Sequence, residues 1–183
     1  MEVQETILAG VKLLKPRVFE DERGFFYESF NLRKFEAAVG RSVDFVQDNH
    51  SRSARGVLRG LHYQVAPAAQ AKLVRVVLGE VFDVAVDIRR SSPTFGRWVG
   101  ARLSADNKQQ LWIPEGFAHG FLTLSEVAEL EYKVSDFYDA SADRSIAWND
   151  SDIGVDWPDA GEILLSEKDQ RAQALVSAEV FEA

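Results

Sequence analysis

Ala128-Glu129-Leu130-Glu131-Tyr132-Lys133-Val134 is the stretch from which the fold of this 183-residue chain can be read. Apolar Ala128, Leu130, Tyr132 and Val134 alternate with charged Glu129, Glu131 and Lys133, the period of two that sends successive side chains to opposite faces of a strand. A strand with one dry and one wet face belongs to an antiparallel sheet. Tyr132 then points into a core or a cavity, where its hydroxyl needs a partner.

The same period continues upstream. Gln110–Ile113 is a strand stopped by Pro114-Glu115-Gly116, and beyond it Phe117, His119 and Phe121 share a face, which sets a histidine between two rings. That placing suits either core packing or a ligand contact. Lys72 to Leu78 is rich in valine, and Lys72 shares a face with Val74, Val76 and Leu78, although a lysine opening a strand usually snorkels to water. Gly79-Glu80 has the form of a two-residue hairpin turn, so this strand is expected to pair with Val81–Ile88. Before them lies Gly56-Val57-Leu58-Arg59-Gly60-Leu61-His62-Tyr63-Gln64, a strand bounded by glycine and followed by Pro67. Strict alternation puts Arg59 and His62 on opposite faces unless Gly60 hosts a bulge. The plain reading of His62 is a core histidine satisfied by a backbone carbonyl.

In the first half, residues 3–19 read as extended, and Phe25–Phe30 as a strand aligning Glu28 with Phe26 and Phe30. Asn31 and Gly40 bracket a helix carrying Leu32, Phe35, Ala38 and Val39 at helical spacing. Val43–Val46 reads as a short strand running into the polar turn Gln47-Asp48-Asn49-His50-Ser51. At the other end, Ser166-Glu167-Lys168-Asp169 has the form of a capping arrangement that starts a last helix, with Asp169 at its third position. Roughly ten short strands and few helices make an all-β chain, an antiparallel sandwich or jelly roll; strands and helices do not alternate as a βαβ chain requires. One domain spanning 1–183 is expected from the length.

With 21 basic and 29 acidic residues the formal charge is -8, which speaks against general nucleic-acid binding while leaving room for a local basic pocket. There is no cysteine, so disulfides, thiolate catalysis and cysteine-zinc sites are excluded. The start of the chain lacks a basic region followed by an apolar one, and no apolar run approaches membrane-spanning length, so a cytoplasmic location without membrane contact is expected. Serine hydrolysis, nucleotide hydrolysis and dinucleotide redox chemistry lack their Gly-rich or Gly-x-Ser-x-Gly motifs. Metal-binding jelly rolls generally carry His-x-His; here the stretch is His62-Tyr63-Gln64, so neither a catalytic metal nor a cofactor is expected. What remains is an acid/base set: a histidine able to take a proton next to a carbonyl, a tyrosine able to return one, and a lysine able to steady the enolate between.

Six separated motifs, in order along nearly the whole chain, resemble the dTDP-4-dehydrorhamnose 3,5-epimerase family, whose fold is a cupin-like jelly roll. They are Asp21-Glu22-Arg23-Gly24-Phe25-Phe26, Gln47-Asp48-Asn49-His50-Ser51, Gly56 to Gln64, Ala71-Lys72-Leu73-Val74, Ile113 to Phe121, and Leu165-Ser166-Glu167-Lys168-Asp169. The resemblance implies epimerisation at C3 and C5 of dTDP-4-dehydro-6-deoxyglucose, with His62 as proton acceptor, Asp169 as its orienting carboxylate and Tyr132 as proton donor. It makes Arg23, Glu28, Gln47, Asp48, Asn49, Arg59, Lys72, His119 and Lys168 substrate-contacting, with Arg59 and Lys72 near the sugar and the Arg23 region near the nucleotide. Tyr138 falls at the aromatic position that stacks on thymine. Asp143 stands where the family more often has glutamate, and Ser151 where it commonly has proline. A homodimer with exchanged N-terminal strands is also implied. Two alternatives share much of this pattern: a C3-only epimerase of antibiotic-sugar pathways, and a sugar-nucleotide binding module, which would have no use for an opposed acid and base.

Overall fold

The computed structural model describes residues 1–182. In chain order the elements are β1 (Glu2–Glu5), β2 (Lys12–Lys15), β3 (Phe19–Asp21), β4 (Gly24–Phe26), α1 (Leu32–Val39), β5 (Gln47–Ala54), β6 (Leu58–Gln64) and β7 (Lys72–Leu78). They continue with β8 (Glu80–Asp87), β9 (Trp98–Ser104), β10 (Gln110–Ile113), β11 (Phe117–Thr123), β12 (Val127–Val134), β13 (Asp143–Ser145) and α2 (Glu167–Gln170). Two antiparallel sheets make the body: a six-stranded one in the order β1-β2-β10-β7-β12-β5, and a five-stranded one in the order β13-β6-β11-β8-β9. The antiparallel pairing is what the alternation in 128–134 called for, and the whole is the cupin-like jelly roll that the many short strands and the family resemblance implied.

The core between the sheets joins Val74, Val76, Leu111, Ile113, Ala128 and Leu130 of the larger sheet to Val81, Ala85, Leu103, Phe117 and Phe121 of the smaller. Each valine, leucine, isoleucine or phenylalanine among them contributes about 1.5–3 kcal/mol when taken out of water. Both outer faces are also partly covered. Leu61, Tyr63, Val84, Val86 and Ala118 meet Ile146, Ile153, Leu175 and Val180 of the C-terminal segment, while Leu14, Leu73 and Trp112 lie under Phe35 of α1. Strands buried on both sides lose their alternation, and β10 and β11 accordingly read as continuous runs.

The local signals at the helix ends hold. The Asn31 side chain accepts from the Lys34 N–H, Gly40 takes the left-handed conformation at the other end, and Phe35 packs edge-on against Trp112 with ring centroids 5.1 Å apart. Four local expectations do not. β4 ends at Phe26, leaving Glu28 in an irregular segment bonded to Lys34 and Asn31. Residues 43–46 are not a strand, and the polar run after them is not a turn but β5. The strands β7 and β8, expected to pair as a hairpin, lie in different sheets. Gly79 carries the chain across with φ +73, and a Cβ there would stand 2.1 Å from the Val127 carbonyl oxygen, so the glycine serves a crossover rather than a hairpin. The reason is burial: β7 is covered on both edges by β10 and β12, and its own neighbour in sequence is left to the opposite sheet.

Candidate active site

Near one end of the interior the apolar rows give way to polar ones, and a cavity of about 280 Å3 opens there. From the larger sheet Gln47 and Asn49 of β5, Lys72 of β7 and Tyr132 of β12 face it; from the opposite side come His62 of β6, Asp143 of β13 and Lys168 of α2, with Tyr138 at the rim. His62 and Tyr132 therefore approach from opposing walls.

The register of β6 against β11 decides which side chains of the first wall point inward. His119 and Phe121 are two residues apart and share a face, and their cross-strand partners are His62 and Arg59, which are three apart. One extra residue sits on β6, the bulge that the sequence admitted at Gly60, and it brings Arg59 and His62 to the same face. Strict alternation would have separated them. Gly60 has φ +130, and a Cβ on it would lie 2.5 Å from Gly120 Cα, so a side chain there would push the two strands apart. Arg59 donates from Nε to the Ser53 hydroxyl at 3.1 Å, and its charge reaches Tyr132.

Behind His62 stands the first turn of α2. Ser166 caps the helix by accepting from the Asp169 N–H at 3.1 Å, and its own hydroxyl donates to Asp169 Oδ2 at 2.8 Å. Asp169 Oδ1 lies 2.5 Å from His62 Nε2. The cap and the carboxylate partner are thus one arrangement, and the helix turn orients the carboxylate. With Nε2–H donating to Asp169, Nδ1 is the nitrogen that carries the lone pair. Burial lowers the His62 pKa from its ordinary range, against the pull of Asp169. Burial would raise Asp169, but the hydrogen bonds from His62 and Ser166 hold its carboxyl below the usual range. Near neutral pH the pair is a neutral imidazole on a charged carboxylate.

Lys72 is enclosed, and burial pushes its ammonium down to about 8 although Asp83 and Asp143 favour the charge; its Nζ donates to the His62 carbonyl at 3.4 Å. Burial raises the Tyr132 hydroxyl, with Arg59 opposing, so the phenol stays protonated. His119 lies beneath this group with Nε2 3.0 Å from both carboxylate oxygens of Asp83, a fully buried residue. At the rim, Asp143 Oδ2 accepts from Lys168 at 2.5 Å and from the Tyr138 hydroxyl at 3.3 Å, so the aspartate reaches both despite being shorter than glutamate.

Three of the residues expected at a substrate site lie elsewhere in this chain. Asp48 points from the other face of β5 and pairs with Lys133 at 2.9 Å. Arg23 is exposed and bonded to Asp21, and Glu28 is bonded to Lys34; both belong to the N-terminal segment away from the cavity. Conversely, Ser53, Asp83 and Gln70 stand at or beside the site without having drawn notice, and Gln64 had drawn it only as the place where a second histidine is missing. Asp83 and Asp87 stand in the otherwise apolar row Val81–Ile88, and a carboxylate in such a row is the signal that a buried partner exists. Among the described residues no group of three histidine, aspartate or glutamate side chains is gathered to hold a metal, and no helix is long and apolar enough to cross a membrane.

A jelly roll whose interior opposes a carboxylate-backed histidine and a protonated tyrosine, with a buried lysine beside them, belongs to the cupin-like class and carries the parts of an acid/base site. The dTDP-4-dehydrorhamnose 3,5-epimerase family model matches residues 5–177, and the chain belongs to that family. It is 61% identical to the dTDP-4-dehydrorhamnose 3,5-epimerase of Shigella flexneri, over 99% of both chains. Among solved structures it is similar to a dTDP-6-deoxy-D-glucose-3,5-epimerase from Legionella pneumophila in complex with dTDP-4-keto-L-rhamnose, at 48% identity and TM-score 0.96, covering 100% of this chain and 98% of that one. A 3'-monoepimerase from Streptomyces bikiniensis in complex with dTDP-quinovose is 36% identical with TM-score 0.89, covering 94% of this chain and 87% of that one.

Proposed function

We propose that the chain, acting as one domain over residues 1–183, epimerises dTDP-4-dehydro-6-deoxyglucose at C3 and C5 to dTDP-4-dehydro-L-rhamnose in dTDP-rhamnose biosynthesis. The observation that carries this is the opposition of the His62–Asp169 pair and Tyr132 across a single cavity. His62 Nδ1 takes the proton from the carbon next to the C4 ketone, and the electron pair moves into an enolate whose oxygen is met by the Lys72 ammonium. The Tyr132 hydroxyl returns a proton to the opposite face of the same carbon, which inverts it; solvent restores the proton to the tyrosine and removes the one on the histidine. No redox or group-transfer step is involved, and protein groups alone can run it, so turnover is expected to survive exhaustive chelation.

The nucleotide half is read onto Tyr138 as the ring that stacks on the base, with Gln47, Asn49, Arg59, Asp143, His119 and Lys168 as further substrate contacts. Arg23 and Glu28, which lie away from the His62 cavity within one chain, are read as reaching the corresponding cavity of a second copy in a homodimer. β1 and β2 pair within the chain's own larger sheet, so the exchanged element narrows to the β3–β4 hairpin and the residues after it. Phe19, Phe25 and Phe26 leave that hairpin with exposed aromatic surface. A cytoplasmic location follows from the soluble precursors such a reaction uses.

Incubation in D2O tests the reaction. Deuterium is expected at both C3 and C5, and Tyr132→Phe is expected to exchange hydrogen through the base while failing to complete inversion. Label at C3 alone would move the assignment to a monoepimerase, and no label at either carbon would leave a binding module.

A further inference from the structure

Asp136–Asp139 link β12 to β13 and carry two large aromatic side chains, Phe137 and Tyr138, that are 63% and 60% exposed. Such a loop gains little from apolar burial, so something else must fix its backbone. Three glutamine side chains do so. Gln70 Nε2 donates to the Asp136 carbonyl at 2.8 Å, Gln64 Nε2 to the Phe137 carbonyl at 3.1 Å, the Tyr138 N–H donates to Gln47 Oε1 at 3.1 Å, and the Asp139 N–H to Gln64 Oε1 at 2.8 Å.

Gln64 is the centre of this clamp. It is 4% exposed, and its amide makes a third bond, donating to the Ala68 carbonyl at 2.6 Å. Two donors and an acceptor on one planar group are what this loop demands, and no other side chain of similar size offers them. The residue lies two past His62 on the same face of β6, where a metal-binding jelly roll would carry its second histidine. Here that position points at backbone.

We propose that Gln64 is a positioning residue which, with Gln70 and Gln47, holds the 136–139 backbone so that the Tyr138 ring stands at the cavity rim, and thereby sets affinity for the nucleotide half of the substrate. This rests on the reading of Tyr138 as the ring that stacks on the base. Gln64 acts through that ring and moves no proton.

Calorimetric titration of dTDP into the full-length wild type, Gln64→Leu, Gln70→Leu, Tyr138→Ala and the Tyr138→Ala double variants tests it. Gln64→Leu is expected to weaken dTDP binding about tenfold and Gln70→Leu about threefold, in proportion to the bonds each removes. Neither should weaken Tyr138→Ala further, because the coupling runs through that ring. In steady-state assays of Gln64→Leu, KM for the sugar nucleotide should rise by more than kcat falls. Wild-type dTDP affinity in both leucine variants, or losses undiminished in the Tyr138→Ala background, overturns the proposal. If Tyr138→Ala alone binds dTDP like the wild type, the stacking reading fails instead. Amide exchange at 137–139 then decides whether the clamp exists: a rise of about tenfold in Gln64→Leu supports it, and unchanged exchange refutes it. Should Gln64→Leu not fold, Gln70→Leu carries the same comparison.

Discussion

The six-stranded sheet has a cavity on each side, and the two are nearly equal in size, about 280 Å3 inside and 270 Å3 outside. Both are lined with charged groups, and Asn49 and Tyr132 border both. On the outer face the charges are neutralised in partly exposed pairs: Asp48 with Lys133, Glu131 with Arg75, and Glu129 with Arg52 and His50. On the inner face Lys72, His62, Asp169 and Tyr132 are desolvated, and burial is the largest influence on each. The density of charge is therefore a poor guide to chemistry. Burial acts on all four inner groups, and of these Lys72 is the one it moves toward neutral pH, down to about 8.

The largest effect expected from this contrast is at His62. His62→Ala should lower kcat about a thousandfold or more while dTDP still binds, because a positioned base contributes roughly 10²–10⁴. Near-normal turnover would end the assignment. Asp169→Asn should cost less, and it should shift the acid limb of the pH profile to lower pH, since the carboxylate raises the histidine against burial. An unmoved limb would leave Asp169 as a helix cap alone.

An intermediate effect is expected at Lys72, and it concerns pH. The base must be neutral, so with a pKa lowered from 6.5 its limb lies below that value. The lysine must be charged to meet the enolate, so activity should fall as pH rises through about 8. Lys72→Arg keeps the charge at any accessible pH, and whatever activity it retains should lack the limb near 8. A limb that stays at 8 in Lys72→Arg would assign it to another group.

The smallest effect belongs outside. Glu131→Gln breaks the pair with Arg75 on the outer face, where a partly exposed ion pair contributes about 0–1 kcal/mol, so Tm should move by only a few degrees and kcat by less than about twofold. A large loss of turnover would erase the distinction between the two faces.

Much of the molecule was legible in local pattern. Alternation marked β12, and the inward face of Tyr132 followed from it; β7 was marked by its valines, and Lys72, expected to snorkel to water, is buried instead. Asn31, Gly40 and Ser166 announced the helix ends, because a cap is satisfied within three or four residues. β5 was missed for a related reason. Gln47, Asn49 and Ser53 face the interior, yet they are as polar as the outward Asp48, His50 and Arg52, so no hydropathy period marks the strand. A strand that lines a polar cavity looks like a turn.

What the amino-acid sequence determined by itself is therefore the set of properties that neighbours in the chain can settle: strand character, helix ends, the face of a regularly alternating side chain, and the motifs that mark the family. Only the tertiary structure decided which strands meet. It separated β7 from β8, turned Arg59 to the side of His62 through one extra residue opposite β11, and set Asp83 beneath His119. It also aimed Asp48 away from the cavity and gave the amide of Gln64 a loop to hold. Each of these depends on segments far apart in the chain burying surface against one another, and the free energy of that burial belongs to the pair of segments and is written in neither alone.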